Sequence, residues 1–391
     1  MVLFVFMLLM AMQQLLWITF APITSIAASF YHVTDLSIGL LSVIFMIVYI
    51  IVSLPASWLI DKYGFRFAVG LGAILTGVFG LLRGIFADDY LLVLIFQIGI
   101  ALGQPLVINA VTTVSVRWFP LEQRATASGL AWLAGYLGLI AGLALTPYLV
   151  MSNSISSVLL LYGVISIISA IAFICFAKEH PPTPQCRPEQ IEKSLVFNGL
   201  RLLLKKKNFV LLMIVFFVGL GLFNGLSTWI EDIIRPRGFT PDQAGLIGGL
   251  MVASGVVGSG IVPLLSDKFH NRSRFVLIAI AGSIPGLIGI AFATSFGLLL
   301  ASACTLGFFM LSTAPIGFQY GTEIAYPAPG GTATGMLMMM GQISGIAFIF
   351  GMNFFKSPVT GSMAPAMLIL ILLMFITVFV CTRLREVPLK D

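Results

Sequence analysis

Twelve apolar segments, each about 20 residues or longer and separated by polar turns, constrain this chain more than any other feature of its sequence. Hydrophobic residues make up 59% of the 391 positions and charged residues 9%, whereas about a quarter of the residues in soluble domains are charged. The segments are apolar on every side, unlike the alternating strands of a membrane β-barrel. The sequence therefore predicts an all-α membrane protein with twelve transmembrane helices, near residues 3–30, 36–60, 67–87, 90–116, 122–150, 155–177, 208–232, 242–265, 273–293, 296–322, 332–355 and 361–383.

The charged turn between the second and third segments recurs in a weaker copy later in the chain. It runs from Pro55 to Arg66, and the copy between the eighth and ninth segments runs from Pro263 to Arg274. In each copy an Asp is followed at once by Lys and then by further basic residues, so both turns must lie at a membrane surface. The duplication predicts two pseudo-symmetric six-helix bundles, residues 1–177 and 208–391, joined by a cytoplasmic linker at 178–207.

This duplicated turn resembles the loop D-[RK]-x-G-x-[RK] of the major facilitator superfamily of transporters, although Ser57 stands where that family usually has Gly. The resemblance implies alternating access, with Asp61 facing the start of helix 11 and stabilising the outward-open state. The alternative is a loop charge that only sets topology. Other charged residues of the matching turns are assigned to the same gating machinery: Arg66, Arg124, Asp267 and Glu323.

Several separated blocks resemble one branch of these transporters, the feline leukaemia virus subgroup C receptor-related family. They are Pro55 to Arg66, Gly307-Phe308-Phe309-Met310, Pro315-Ile316-Gly317-Phe318, Glu323, Tyr326-Pro327 and Gly335. Members of that family move choline and related amines, and haem export has also been assigned to them. The resemblance maps Trp17 and Gln342 onto substrate-lining positions. Tyr136 stands where relatives have Gln, and Asn224 where they have Tyr.

Polar and aromatic residues within the spans are the candidates for a substrate site at the bilayer midplane. Along helix 1, Gln13, Trp17, Phe20 and Thr24 have the spacing of one helical face. An aromatic stripe is more often packing, but an unpaired amide in hydrocarbon costs several kcal/mol. Further candidates lie in helices 5, 7 and 11: Trp132, Tyr136, Asn224, Thr228, Met338 and Gln342.

Ion coupling has few candidate residues in this sequence. Only Glu231 and Asp232 approach a span interior, at the outer end of helix 7, and Glu231 is the one candidate coupling site. Otherwise Glu231 ends the helix facing water. Haem would require axial His or Cys ligands, or an Arg clamp, in the cavity, and we expect no helix interior to supply one there. These absences favour a facilitative carrier without a cofactor.

Orientation follows from the basic residues, because Lys and Arg concentrate on the cytoplasmic side. With both termini inside, all but four of the 21 Lys and Arg fall there; Arg83, Arg235, Arg237 and Lys356 are placed outside. We therefore expect a multi-pass protein of a cell membrane, such as a bacterial inner membrane, whose net charge of +6 reflects topology rather than a nucleic-acid partner. A monomer in the bilayer is expected, with a small-molecule substrate.

The remaining features do not suggest an enzyme. The four cysteines lack CxxC spacing, and no Walker loop, HExxH or zinc-ligand pattern is present. The first apolar segment is too long for the core of a signal peptide, and residues 189–204 could form an amphipathic helix on the membrane surface. The sequence favours a uniporter for a small organic cation such as choline. Alternatives are a carrier of a neutral heterocycle or haem, a proton-coupled carrier, or a membrane receptor.

Overall fold

The computed structural model describes residues 1–120, 123–180, 202–269, 271–325 and 330–386. Within these residues, twelve helices are long and apolar enough to cross a membrane, which confirms the predicted all-α fold. We label them α1 Val2–Tyr31, α2 Asp35–Tyr63, α3 Phe65–Ile85, α4 Tyr90–Trp118, α5 Arg124–Ser152, α6 Ile155–Phe176, α7 Lys207–Thr228, α8 Pro241–Phe269, α9 Arg272–Phe292, α10 Phe296–Ala325, α11 Gly330–Phe354 and α12 Ala364–Cys381.

Side-chain caps explain where several spans begin. The Thr34 hydroxyl accepts a hydrogen bond from the backbone of Ser37 at the start of α2, and Ser154 caps α6 in the same way. Asp89 accepts from the backbone N–H groups of Leu91 and Leu92, the second and third residues of α4. The first N–H groups of a helix have no partner within it, so a capping oxygen contributes about 0.5–2 kcal/mol.

Two spans contain local breaks that expose backbone groups inside the membrane. In α1, the helical pieces Val2–Ile18 and Thr24–Tyr31 are joined by a single 3₁₀ turn, Ala21–Ile23. In α4, the pieces Tyr90–Ile108 and Val111–Trp118 meet beside Asn109. Backbone groups freed by such breaks must find other partners, since the bilayer core offers no water.

The helices form two compact units, Met1–Ile191 with Ala244–Leu246 and Glu192–Gln243 with Ile247–Asp391. Within each unit the same helix pairings recur: α1 packs on α5 as α7 packs on α11, and α3 packs on α4 as α9 packs on α10. The pairing of α3 with α6 likewise recurs as α9 with α12. The repeated packing agrees with the duplicated turn of the sequence. The boundaries predicted at residues 178 and 207 remain a prediction.

The pairing of α1 with α5 depends on a glycine. A Cβ at Gly138 would collide with the backbone carbonyl of Ala11, so the two helices approach closely only because this side chain is absent. On the same helix, Gly129 has open space around its Cα. The two glycines therefore have different structural roles.

Gly138→Ala should lower the temperature of unfolding in detergent, because overpacking of this kind costs about 1–3 kcal/mol. Gly129→Ala is the matched control, and it should leave the unfolding temperature unchanged or raise it slightly, since Ala is favoured over Gly within a helix. Equal effects of the two substitutions would show that α1 and α5 do not make this close contact.

Candidate functional site

The first half of α1 carries two of the predicted substrate residues, and both are buried within the first unit. The Gln13 side chain is fully buried and donates a hydrogen bond from Nε2 to the hydroxyl of Thr76 on α3. Trp17 is 8% exposed, and its indole Nε1 donates to the carbonyl of Ser42 on α2 at 3.3 Å. The indole ring is therefore held in a fixed orientation beside α2.

The predicted shared face of α1 is wrong beyond Trp17, because the helix ends at Ile18. Pro22 has no N–H to donate to the carbonyl of Ile18, so the α-helical register cannot continue through it. Phe20 lies in the break and Thr24 opens the next helical piece, where its hydroxyl donates to the carbonyl of Ala21 at 3.1 Å. The fourfold stripe read from the sequence is therefore limited to Gln13 and Trp17.

Arg83, which the sequence predicts at the outer side of the membrane, lies in the last turn of α3. Its side chain is fully buried, donates from Nη1 to the amide oxygen of Gln97 at 2.6 Å, and donates to the carbonyl of Leu16 at 3.2 Å. The guanidinium also lies 5.7 Å from the ring centre of Phe20. Arg83 thus binds the end of the first piece of α1, where the helix dipole is negative and favours a cation.

The signal for Arg83 was present in the sequence. The residue lies near the end of the segment 67–87 that composition alone predicts to span the membrane, where an arginine needs a polar partner. Gln97, its partner, donates onward to the carbonyl of Leu41 at 3.1 Å. The last turn of α3 therefore carries a fully buried arginine.

The second unit places two predicted residues on the contact between α7 and α11. Asn224 is partly buried and donates from Nδ2 to the carbonyl of Gly341 at 3.2 Å. Gln342, the next residue along α11, is also partly buried. The amide of Asn224 and the backbone beside Gln342 are therefore brought together at this contact, and their role in binding substrate stays a prediction.

Two further candidates have less defined surroundings. Thr228 ends α7, and its buried hydroxyl has no hydrogen-bond partner among the residues that the structure describes. Tyr136 is partly buried on α5, one turn beyond Trp132, which packs against the apolar core of the first unit.

Glu231 and Asp232 occupy a short helix, Ile230–Ile234, that follows a break in the seventh span at Trp229. Both carboxylates are fully buried, so the alternative in which Glu231 faces water is wrong. Asp232 is ion-paired with Arg235 at 2.7 Å and with Lys356 at 2.9 Å, while Glu231 lies 3.6 Å from Arg235. These bases were predicted in outer loops, and their attraction to the acids explains how two carboxylates tolerate burial.

The basic turn after α2 is organised by Glu179, which follows α6. Its carboxylate accepts hydrogen bonds from the backbone N–H groups of Phe65 at 3.2 Å and Arg66 at 2.7 Å, and it forms an ion pair with Arg117. Gly64 has a φ of 88°, and a Cβ there would collide with the same carboxylate. Glycine is therefore required in this turn both by backbone conformation and by the bound acid.

The second unit repeats this arrangement with Glu386, which follows α12. Its carboxylate accepts from the backbone N–H groups of Arg272 at 2.9 Å and Ser273 at 2.8 Å, at the start of α9. A carboxylate at the N-terminus of a helix is stabilised by the helix dipole. The sequence reading missed both acids, because it compared the turns and not the residues that follow the sixth and twelfth spans.

The predicted gating residues surround these caps. Arg272 forms ion pairs with Asp267 and, at 3.3 Å, with Glu323 at the end of α10. In the first unit, Asp61 is exposed and close enough to Arg117 to interact electrostatically. Arg124 donates from Nε to the carbonyl of Phe119 at 3.3 Å, whereas the side chain of Arg66 is exposed.

The far end of the predicted linker binds the second unit. The ammonium of Lys206 donates to the carbonyls of Ile324 at 2.8 Å and Ala325 at 3.2 Å, which end α10. A cation at a helix C-terminus is the favourable counterpart of an acid at an N-terminus. The amphipathic helix predicted at 189–204 falls largely on residues 189–201, which lie outside the described residues.

A basic residue outside the spans also binds backbone at the opposite end of the second unit. Arg237 donates to the carbonyls of Ala293 at 2.8 Å and Ile290 at 2.7 Å, and burial lowers the pKa of its guanidinium. Within the part of the chain that the structure describes, no group of three or more His, Cys, Asp or Glu side chains could hold a metal ion.

A family model described as the Major Facilitator Superfamily matches residues 2–349. The chain belongs to the major facilitator superfamily. It is therefore a membrane carrier rather than an enzyme, as the duplicated turn predicted.

Relatives within this superfamily confirm the narrower resemblance. The chain is 31% identical to solute carrier family 49 member A3 of Xenopus tropicalis, over 89% of this chain and 76% of the relative. It is 27% identical to the choline/ethanolamine transporter FLVCR2 of Homo sapiens, over 85% and 67% of the two chains. It is 28% identical to the choline/ethanolamine transporter FLVCR1 of Felis catus, over 89% and 66%.

Solved structures of this superfamily share the fold. A bacterial homologue of the human lysosomal transporter Spinster, in an inward-facing and unoccupied conformation, matches with a TM-score of 0.76 at 16% identity, covering 99% of this chain and 98% of that one. The nucleoside transporter NupG matches with a TM-score of 0.75 at 13% identity, covering 98% and 100%. At these identities the likeness shows the fold alone.

Glu179→Gln should lower the unfolding temperature of the major facilitator protein, because the neutral amide loses the ion pair with Arg117 and weakens the cap on α3. A helix cap contributes about 0.5–2 kcal/mol. Lys178→Gln is the control, since it removes a neighbouring charge that has no part in the cap. Equal unfolding temperatures for wild type and Glu179→Gln would contradict the capping role.

Proposed function

We propose that this transporter carries a small organic cation, such as choline or a related alkylamine, by facilitated diffusion. The observation that carries the proposal is Trp17, an indole fixed by its bond to Ser42 beside the break in α1. The names of the relatives FLVCR1 and FLVCR2, which are called choline/ethanolamine transporters, support the same substrate class.

An aromatic face can bind a quaternary ammonium without any carboxylate. The ring quadrupole contributes about 0.5–1 kcal/mol at an exposed site and about 2 kcal/mol or more once water is excluded, and Trp provides the strongest such face. Choline is weakly hydrated, so little is lost when an indole replaces its water. In this proposal Trp17 is the main contact for the ammonium.

Polar groups from the other helices would then orient the substrate. Asn224 and Gln342 lie at the contact between α7 and α11. In this proposal their side-chain amides hydrogen-bond to a hydroxyl or amine of the substrate. Tyr136 offers a second ring, and Thr228 and Gln13 complete the proposed set. We assign Phe20 to Arg83 rather than to the substrate, because the guanidinium already lies over this ring.

A neutral heterocycle is the second candidate, and Arg83 is the observation that favours it. This buried cation bonds to the carbonyl of Leu16, next to Trp17, so its charge raises the cost of placing a second cation there. A stacked neutral ring would avoid this repulsion. Haem is disfavoured, since a single buried arginine already bonded to Gln97 is a poor clamp for a dianion.

The buried acids of the second unit support transport without proton coupling. Asp232 is balanced by Arg235 and Lys356, and Glu231 also lies beside Arg235. A carboxylate that has a cationic partner holds its charge more firmly and exchanges protons less readily. Glu231 remains the residue to test for coupling.

The rival from another class is a membrane receptor that keeps the fold but moves nothing. Purified protein in proteoliposomes separates the two, since the proposal requires saturable choline flux. Binding of choline without flux would identify a receptor, and flux of a neutral heterocycle that choline does not inhibit would identify the second candidate.

Trp17→Ala should abolish choline binding, and Trp17→Phe should retain part of it, because Phe keeps a weaker aromatic face. Binding is measured as the thermal shift with added choline, which at 100 times the dissociation constant is worth about 2.7 kcal/mol. Trp229→Phe is the matched control, since this fully buried tryptophan also bonds a backbone carbonyl through Nε1. Equal losses in Trp17→Phe and Trp229→Phe would contradict a direct contact at Trp17.

Asp61→Asn should shift the conformational equilibrium toward the inward-open state, if this exposed acid binds the start of α11 as the sequence predicts. Removing a carboxylate from a partly buried helix N-terminus costs about 1 kcal/mol of interaction free energy. This changes the ratio of the outward-open to the inward-open state about fivefold. Distances between spin labels on the outer ends of the two units would report the shift, with Asp88→Asn as a control for an acid at the opposite end of the spans. Unchanged distances would contradict a gating role for Asp61 and favour the alternative, in which its charge only sets the topology of the chain.

A further inference from the structure

A groove of about 460 Å³ opens between α3 and α6 at the end of the spans that carries the basic turn. One wall is the face of α3 that begins at Arg66 and Phe67 and continues through Gly70 to Ile74. The other wall is the end of α6, including Ile174. The volume lies within the range of about 300–1,000 Å³ that small-molecule sites occupy.

The walls of the groove are apolar and face the lipid rather than the protein core. Phe67 and Ile74 are 54% and 47% exposed, and Ile174 is also exposed. In a transmembrane segment such exposure means contact with acyl chains. The groove is therefore open to hydrocarbon along its length.

The mouth of the groove is cationic. Glu179 lies there, but its charge is bound by Arg117 and by two backbone N–H groups of α3. The exposed side chain of Arg66 lines the mouth, and the exposed Lys62 lies just before it, 4.6 Å from the ring centre of Trp58. An anionic group at this depth would meet Arg66 and a compensated acid, with Lys62 four residues before Arg66 in the chain.

The length of the groove fits one leaflet. Eight residues separate Arg66 from Ile74, which at 1.5 Å per residue is about 12 Å. Half of the hydrocarbon core is about 15 Å. A molecule bound here would have an anionic end at the surface and an apolar chain running most of the way to the midplane.

Gly70 creates the space for such a chain. An added Cβ at this position would meet nothing within 4 Å. Glu179 caps Phe65 and Arg66 in the first unit, and Glu386 caps Arg272 and Ser273 in the second. Phe65 therefore corresponds to Arg272 in the repeat. Counting on from these two residues, Gly70 corresponds to Leu277. The first unit therefore differs from its own repeat at the open wall of the groove.

We propose that this groove binds an anionic phospholipid, with the phosphate on Arg66 and one acyl chain lying over Gly70 between α3 and α6. Basic pockets between transmembrane helices bind anionic head groups in this way. The lipid would occupy the leaflet at the basic surface, against the helix whose first turn Glu179 caps.

The test uses the full chain in detergent and measures binding of phosphatidylglycerol and of phosphatidylcholine by native mass spectrometry. Wild type should bind phosphatidylglycerol in preference. Arg66→Gln should weaken this binding about fivefold, the contribution of one basic residue near an anionic surface. Gly70→Leu, which introduces the residue of the repeat, should weaken the binding of both lipids because it fills the groove.

Two control variants distinguish the groove from general effects. Arg274→Gln removes an exposed basic residue from the first turn of α9, and Gly129→Leu adds a side chain at an open position on α5. Both should bind phosphatidylglycerol as wild type does. The proposal is overturned if wild type shows no preference, if Gly70→Leu binds normally, or if Arg274→Gln loses as much as Arg66→Gln.

Discussion

Glu179 and Glu386 place carboxylates on the first free backbone N–H groups of α3 and α9, and the ends of both units depend on this interaction. Each acid follows the last span of its own bundle, so the cap ties the sixth helix to the start of the third. Arg117 in one unit and Arg272 in the other add a cation beside the acid or its turn. The duplicated charged turn is therefore one part of a larger repeated assembly that closes each six-helix bundle.

Within the spans, as at the helix ends, a backbone polar group without a partner in its own helix must bond to another group of the protein. The break in α1 leaves the carbonyl of Leu16 free to accept a hydrogen bond from Arg83. The guanidinium of Arg83 also packs over the ring of Phe20. After the break that ends α7, Glu231 and Asp232 are buried in the interior. Arg235 lies beside both carboxylates, and Lys356 forms an ion pair with Asp232. Buried charges in this protein therefore hold broken helices in place.

The sequence predicted all twelve spans, because twenty apolar residues in a row have few alternatives in a bilayer. Asn224 and Gln342 stay predicted substrate residues; the structure adds that Asn224 bonds the backbone next to Gln342. The sequence reading missed the burial of Arg83, although this residue lay within a predicted span. Glu179 could not be found from the pattern, since its partners Phe65 and Arg66 are more than a hundred residues away and no local spacing connects them. The break in α1 is marked in the sequence by Pro22, although the helical spacing of Gln13, Trp17, Phe20 and Thr24 continues past it.

In the proposed mechanism a monovalent organic cation crosses the membrane without a coupled ion. A membrane potential of 100 mV is worth about 2.3 kcal/mol per charge, so choline accumulated by uniport should reach a ratio of about 50-fold in proteoliposomes. The decisive measurement is this steady-state ratio at several potassium diffusion potentials, with and without a pH gradient. The account predicts a tenfold rise for about every 60 mV, independent of the pH gradient and unchanged in Glu231→Gln. A ratio that follows the pH gradient and collapses in that variant would contradict it.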